Sequence, residues 1–179
     1  MGDLGRLAYL TPAGEDDEAF LYEVFCTTWA DEIAALPNPK LGSHVLRIQY
    51  TAQERRFDSR YPGHQRYVIW HDGRRAGRFY LHVTETMVHA IDMTLLPEFR
   101  SRGIGSQVVG DLLAVATENG QSVTLRVPRR NTRANALYNT LGFRLVTLDD
   151  LDNYFEWTPP APPRRADPGP LADASSAAG

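Results

Sequence analysis

The segment from Leu95 to Ser106, Leu-Leu-Pro-Glu-Phe-Arg-Ser-Arg-Gly-Ile-Gly-Ser, holds residue types suited to gripping a phosphate. An apolar run ends at Pro97, and Gly103 and Gly105 open an amphipathic stretch. A helix N-terminus presents unpaired N–H groups and a partial positive charge. Glycines let an anion approach those groups closely. Arg100 and Arg102 add positive charge, so the combination reads as a pyrophosphate cradle. A Gly-x-Gly pair alone is equally a plain tight turn. A dinucleotide fingerprint would need a small residue where Val108 stands, and an acidic residue ending a strand about twenty residues further on. The Gly-Lys-Ser/Thr of a P-loop is absent. Cys26 sits among apolar residues and reads as a small core residue rather than a nucleophile.

These residues need elements to hold them. Ile104–Asn119 carries Val108, Val109, Leu112 and Leu113 at helical spacing, with Gly120 as its C-cap. Val88–Leu95 and Ser122–Val127 read as the strands before and after it, joined by a parallel crossover. Upstream, Leu7–Leu10 reads as a short strand and Asp16–Leu36 as a helix broken by Pro37 and Pro39. Ser43–Ser59 reads as a second helix with Ser43 as N-cap. Tyr61–Pro62–Gly63 reads as a turn. Arg66–His71 and Gly77–Val83 flank the Asp72–Gly73 turn of a hairpin. Downstream come a helix over Thr132–Leu141, stopped by Gly142, and a hairpin of Phe143–Leu148 with Tyr154–Trp157. The order β-α-α-β-β-β-α-β-α-β-β describes an α/β domain on a mixed sheet.

The chain of 179 residues suits one domain, with a formal charge of −3 and one cysteine. A single cysteine excludes an internal disulfide. The arginines form no basic block of the kind that binds nucleic acid, and Cys and His are too few for a zinc site. No apolar run is long enough for a membrane helix, and the N-terminus lacks the pattern of a signal peptide. The cytoplasm is the expected location. Residues 1–158 are expected to form the domain. Residues 159–179, rich in Pro, Ala, Gly, Asp and Ser, are expected to be a disordered tail.

Arg100-x-x-Gly103-x-Gly105, following a strand that ends at Pro97, resembles the acetyl-CoA motif of the GNAT superfamily of N-acetyltransferases. Asn131-Thr-Arg-Ala-Asn-Ala-Leu-Tyr138-Asn-Thr-Leu-Gly142-Phe143 resembles that family's second signature. One helix and one strand separate the two, and the resemblance spans roughly Arg66 to Trp157.

The resemblance implies a mostly antiparallel sheet, flanked by helices, whose fourth and fifth strands are parallel and splay into a V. It implies acetyl-CoA as co-substrate, no metal, and acetyl transfer to an amine by direct attack. An acyl-CoA sensor without turnover is the alternative, and a homodimer is left open. A strand bulge pairing with the pantetheine arm would fall on Met93, Thr94 and Leu95. The pyrophosphate would meet N–H groups of Arg102, Gly103, Ile104, Gly105 and Ser106, and Asn131 would contact the cofactor from its helix start. Tyr138 would protonate the departing thiolate, since a phenol keeps its proton at neutral pH. For the general base, strict alternation puts His89, Ile91 and Met93 on one face of the strand and Asp92 on the other. His89 is chemically apt, with Asp92, Glu85 and His82 as further candidates. Arg126 stands where some relatives carry a Glu. The acceptor would be shaped by 31–43 and by the last hairpin, whose Asp149, Asp150 and Asp152 could attract a cation or simply form a solvated turn.

Overall fold

The computed structural model describes residues 7, 9–30, 33, 39–148 and 150–160. The expected tail beyond 160, the Leu36–Pro37 helix end and Asp149 lie outside the described residues. The elements run β1 (Leu10–Pro12), α1 (Glu18–Cys26), α2 (Pro39–Arg60), β2 (Gln65–His71), β3 (Arg74–Val83) and β4 (Met87–Leu95). They continue with α3 (Ile104–Asn119), β5 (Ser122–Pro128), α4 (Thr132–Thr140), β6 (Arg144–Leu148) and β7 (Asp152–Trp157). The strands form one sheet in the order β1-β2-β3-β4-β5-β7-β6. Every pairing is antiparallel except β4 with β5. The expected mixed sheet with a parallel fourth–fifth pair is what the chain forms.

Some boundaries differ from expectation. Helix α1 stops at Cys26, where Thr27 and Thr28 turn their hydroxyls back onto the carbonyls of Val24 and Phe25. Such back-bonding competes with continuation of the helix. Helix α2 starts at Pro39, so Ser43 lies inside it rather than capping it. Proline suits a first helical position because the N–H it lacks would have no partner there.

Directly opposed residues in a sheet share a face, so the strand register sorts the side chains. Arg78 and Tyr80 on β3 oppose Thr94 and Asp92 on β4, and His82 opposes His89. Arg78 reaches the Leu21 carbonyl of α1, and Tyr61 at the end of α2 meets His89. This face therefore lies under α1 and α2. Phe79 opposes Met93 and Leu81 opposes Ala90. Met93 packs toward Gly105 of α3, so that set faces α3. Helix α3 buries Ile104, Val108, Val109, Leu112, Leu113 and Ala116 against it. Each of the valine, leucine and isoleucine side chains contributes roughly 1.5–3 kcal/mol by leaving water.

Gly77 fixes where β4 ends. A Cβ there would sit 2.2 Å from the Thr94 carbonyl oxygen and 2.9 Å from the Leu95 Cα. Both are backbone atoms that cannot swing aside. Gly77→Ala is expected to lower stability by about 1–3 kcal/mol, the range for overpacking a close contact. Urea unfolding measures it, and an unchanged midpoint would mean β3 and β4 are not so tightly apposed.

Candidate functional site

The parallel pairing of β4 with β5 runs from Met87–Ser122 to Ala90–Leu125 and stops. Beyond that point β4 stays on β3 as far as Leu95–Gly77, while β5 stays on β7 as far as Pro128–Asp152. The sheet thus opens into a V between Ile91–Leu95 and Arg126–Pro128. The bulge is placed differently from expectation. The β3–β4 register shifts between Asp92 and Ala90, leaving Ile91 as the extra residue rather than Met93, Thr94 or Leu95. An inserted residue inverts the alternation after it. Asp92 therefore shares the face of His89, and Met93 points the other way, which corrects the assignment made from strict alternation.

The α3 N-terminus lies just past the end of β4. Pro97–Phe99 make one 3-10 turn, Ser101 takes φ 65° and Gly103 φ 81°, and the helix begins. The Gln107 N–H bonds the Gly103 carbonyl at 3.0 Å. Among the described residues, none accepts from the N–H groups of Arg102, Gly103, Ile104, Gly105 or Ser106. Ile104 is buried and pins the first turn to the core, while Arg102 and Ser106 are exposed. Arg100 holds the loop: its Nε donates to the Leu95 carbonyl at 2.8 Å and its Nη2 to Thr27 Oγ1 at 3.1 Å. A Cβ on Gly105 would be in ordinary contact, 3.5 Å from Met93 Cε and 3.8 Å from Leu137 Cδ2. Gly105 thus lies close to both β4 and α4.

Tyr138 of α4 is buried on the α3 side of the sheet, beside the point where the V begins. It packs edge-on to Phe143 at 5.3 Å and against Phe155, which opposes Leu125 where the V begins. Its hydroxyl makes no hydrogen bond to another described residue. Burial, aided by the Asp92 carboxylate of β4, pushes the phenol up to about 12. Asn131 caps α4, its Oδ1 accepting from the Ala134 N–H at 3.1 Å. Asn135, which the sequence reading passed over, donates to the Pro128 and Asn131 carbonyls at 3.1 and 2.7 Å and so ties α4 to the end of β5.

On the opposite face, His89 is buried. Its Nε2 lies 2.9 Å from the Tyr61 hydroxyl and its Nδ1 2.9 Å from Thr124 Oγ1. Burial lowers the imidazole to about 4, with Arg60, His82 and Arg126 pushing the same way. His89 is thus neutral at pH 7, with both nitrogens engaged. Asp92 is tied to the sheet, accepting from Arg78 Nε at 2.7 Å and from Thr94 Oγ1 at 3.4 Å. Glu85 is exposed, before the N-terminal end of β4 and so at the far end from the V. In the last hairpin Asp150 is exposed, and Asp152 Oδ2 lies 3.6 Å from Arg126 Nε. Arg126 also rests over the Tyr154 ring at 4.6 Å. Cys26 is only partly buried, against the core. No helix among the described residues is long and apolar enough to cross a membrane.

The fold resembles that of solved structures described as acetyltransferases. The PaiA N-acetyltransferase of Thermoplasma acidophilum, solved with coenzyme A, superposes with TM-score 0.64 at 18% identity, covering 83% of this chain and 97% of that one. The ribosomal-protein-S18-alanine N-acetyltransferase of Escherichia coli gives 0.59 at 17% identity, covering 88% and 98%. YncA of Salmonella typhimurium, described as a putative acetyltransferase and solved with acetyl-CoA, gives 0.53 at 16% identity, covering 86% and 95%. A search of curated protein sequences finds no match. At these identities the structural likeness establishes the fold. The Acetyltransferase (GNAT) family model matches residues 24–143, a span holding the V, the α3 N-terminus and Tyr138. The chain is a member of the GNAT acetyltransferase family.

Proposed function

We propose that the chain binds acetyl-CoA between α3 and α4 and passes the acetyl group through the V to an amine arriving from the α1–α2 face. One observation carries this reading: the unpaired amides from Arg102 to Ser106 open beside a gap in the sheet that Tyr138 flanks. The amides take the diphosphate by charge and hydrogen bonds. The main chain of Met93 to Leu95, past the bulge, runs along the V where the pantetheine arm would pair with it, and Asn131 stands at the start of α4. The thioester supplies the activated acyl carbon. The amine attacks it directly, so no nucleophilic side chain is required. Tyr138 keeps its proton throughout the neutral range and donates a hydrogen bond to sulfur as negative charge grows there. The compartment holding both substrates would be the cytoplasm.

Release of free thiol from acetyl-CoA tests the reading, using a panel of primary alkylamines, aminosugars and a peptide beginning with alanine. The peptide is included because one structural neighbour is named for such an acceptor. Amine-dependent release is the expected result. Binding of acetyl-CoA with no release across the panel would favour a sensor.

Gly105→Glu separates binding from folding. Its Cβ has room, and an acidic residue in the first helical turn suits the helix dipole. Melting should therefore be unchanged or slightly raised. The carboxylate competes for the same amides and repels the diphosphate, so the Kd for coenzyme A should rise at least about tenfold, equivalent to ~1.4 kcal/mol. Unaltered affinity in the folded variant would contradict the cradle.

A further inference from the structure

His89 belongs to a hydrogen-bonded chain, with Tyr61 on one ring nitrogen and Thr124 on the other. Thr124 Oγ1 lies 3.4 Å from Met87 Sδ, and a thioether sulfur can only accept. The threonine hydroxyl donates there, which leaves its lone pair for His89 Nδ1 at 2.9 Å. In this arrangement, the one that gives every atom of the chain a partner, Nδ1 carries the ring proton and Nε2 accepts from the Tyr61 hydroxyl at 2.9 Å. The Tyr61 ring lies nearly parallel to the imidazole, with centroids 5.0 Å apart and an interplanar angle of 27°. The backbone of Tyr61 is held on both sides, its N–H by the Phe57 carbonyl and its carbonyl by the His64 N–H. The charged and titratable groups facing the pair are Arg60 at the end of α2, His82 on β3 and Arg126 on β5. His89 and Thr124 oppose each other one residue before the V opens. His89 is 7% exposed, whereas Tyr61 and Thr124 are both half-buried. With the Thr124 oxygen engaged by both Met87 and His89, Tyr61 is the member left to meet an incoming molecule.

We propose that Tyr61, His89 and Thr124 form a proton relay in which the Tyr61 oxygen takes the proton of the attacking amine while its own proton passes to His89 Nε2. This rests on the acetyl-transfer reading. The amine nitrogen bonds the thioester carbon and the C–S bond breaks with its electron pair going to sulfur. The surplus proton on nitrogen moves to Tyr61 Oη, and the phenol proton moves to Nε2. The imidazolium, which burial and the neighbouring Arg60, His82 and Arg126 disfavour, forms only in passing and gives its proton to solvent. The thiolate takes a proton from solvent to leave as free coenzyme A. Thr124 is a positioning residue that holds the tautomer.

Two measurements on the full chain test the relay. Nitrogen-15 NMR of the histidines at neutral pH should show His89 protonated at Nδ1 and bare at Nε2, with the Nε2 signal shifting in Tyr61→Phe, a change that keeps the ring stack. For turnover, the probe is the amine found by the panel or, without one, hydrolysis of acetyl-CoA, in which water must lose a proton in the same place. Tyr61→Phe and His89→Gln should lower kcat at least about tenfold, with KM for acetyl-CoA and the Kd for coenzyme A unchanged. Thr124→Val should fall with them, and Thr124→Ser should retain activity. A Tyr61→Phe enzyme with undiminished kcat, or a wild-type His89 protonated at Nε2, would overturn the relay. Absence of coenzyme A binding in the unmodified protein would overturn the acetyl-transfer reading and the relay with it, whereas intact binding with undiminished Tyr61→Phe turnover would overturn the relay alone.

Discussion

Tyr138→Phe is expected to cut kcat about 10- to 100-fold while leaving the Kd for coenzyme A and the melting temperature unchanged. The ring contributes packing against Phe143 and Phe155, and phenylalanine preserves it. Only the hydroxyl is lost, so ground-state binding has little to change. A hydrogen bond to a charged partner is worth about 1.5–3 kcal/mol, which converts to that range in rate. The structure also refines the role expected from sequence. Burial raises the phenol to about 12, well above the ~8.5 of a thiol, so complete proton transfer to sulfur is uphill from the free site. The hydroxyl acts as a fixed donor that stabilises thiolate character as the C–S bond breaks. Steady-state kinetics paired with calorimetry separates the two quantities. A fall in affinity with unchanged kcat would remove the hydroxyl from the chemical step.

Arg78→Met should be the most damaging substitution to the fold, at about 3–5 kcal/mol, the cost of stripping one partner from a buried ion pair. The Arg78 side chain is 1% exposed. Its Nε bonds Asp92, its Nη1 donates to the Leu21 carbonyl at 3.4 Å and lies 3.8 Å from Glu54 Oε1, and its guanidinium lies near the Phe25 and Tyr80 rings. Methionine fills most of the volume but leaves Asp92 without its cation and Glu54 with Arg66 alone, 3.4 Å away. Burial already raises the Glu54 carboxyl, with Arg78 opposing that rise, so Glu54 would move further up. The variant should also lose activity, because Asp92 stands directly after the Ile91 bulge. Urea unfolding measures the cost. A double variant with Asp92→Asn should recover part of it, and equal stability of wild type and Arg78→Met would show that the pair contributes nothing.

The parts of this site that read directly from sequence were local. Helix α3 has its apolar residues at the helical period and a glycine at each end, Gly103 and Gly120, both at positive φ. Those features depend on neighbours within a turn. Strand β4 was legible as a strand, but its bulge was not, because a single inserted residue leaves no mark on composition. That one residue moved Asp92 to the face of His89. Tyr61 read as a turn residue because of the Pro62–Gly63 that follows, and its contact with His89 joins residues 28 apart in the chain. Arg78 gave no warning of burial either. A charge is buried only when partners arrive from elsewhere, here from α1, α2 and β4.

Calorimetry of the purified, folded chain with coenzyme A tests the central claim most directly. One coenzyme A should bind per chain, with affinity that weakens as salt screens the diphosphate from the helix terminus. Absence of binding heat with both coenzyme A and acetyl-CoA, at several temperatures, would contradict the account.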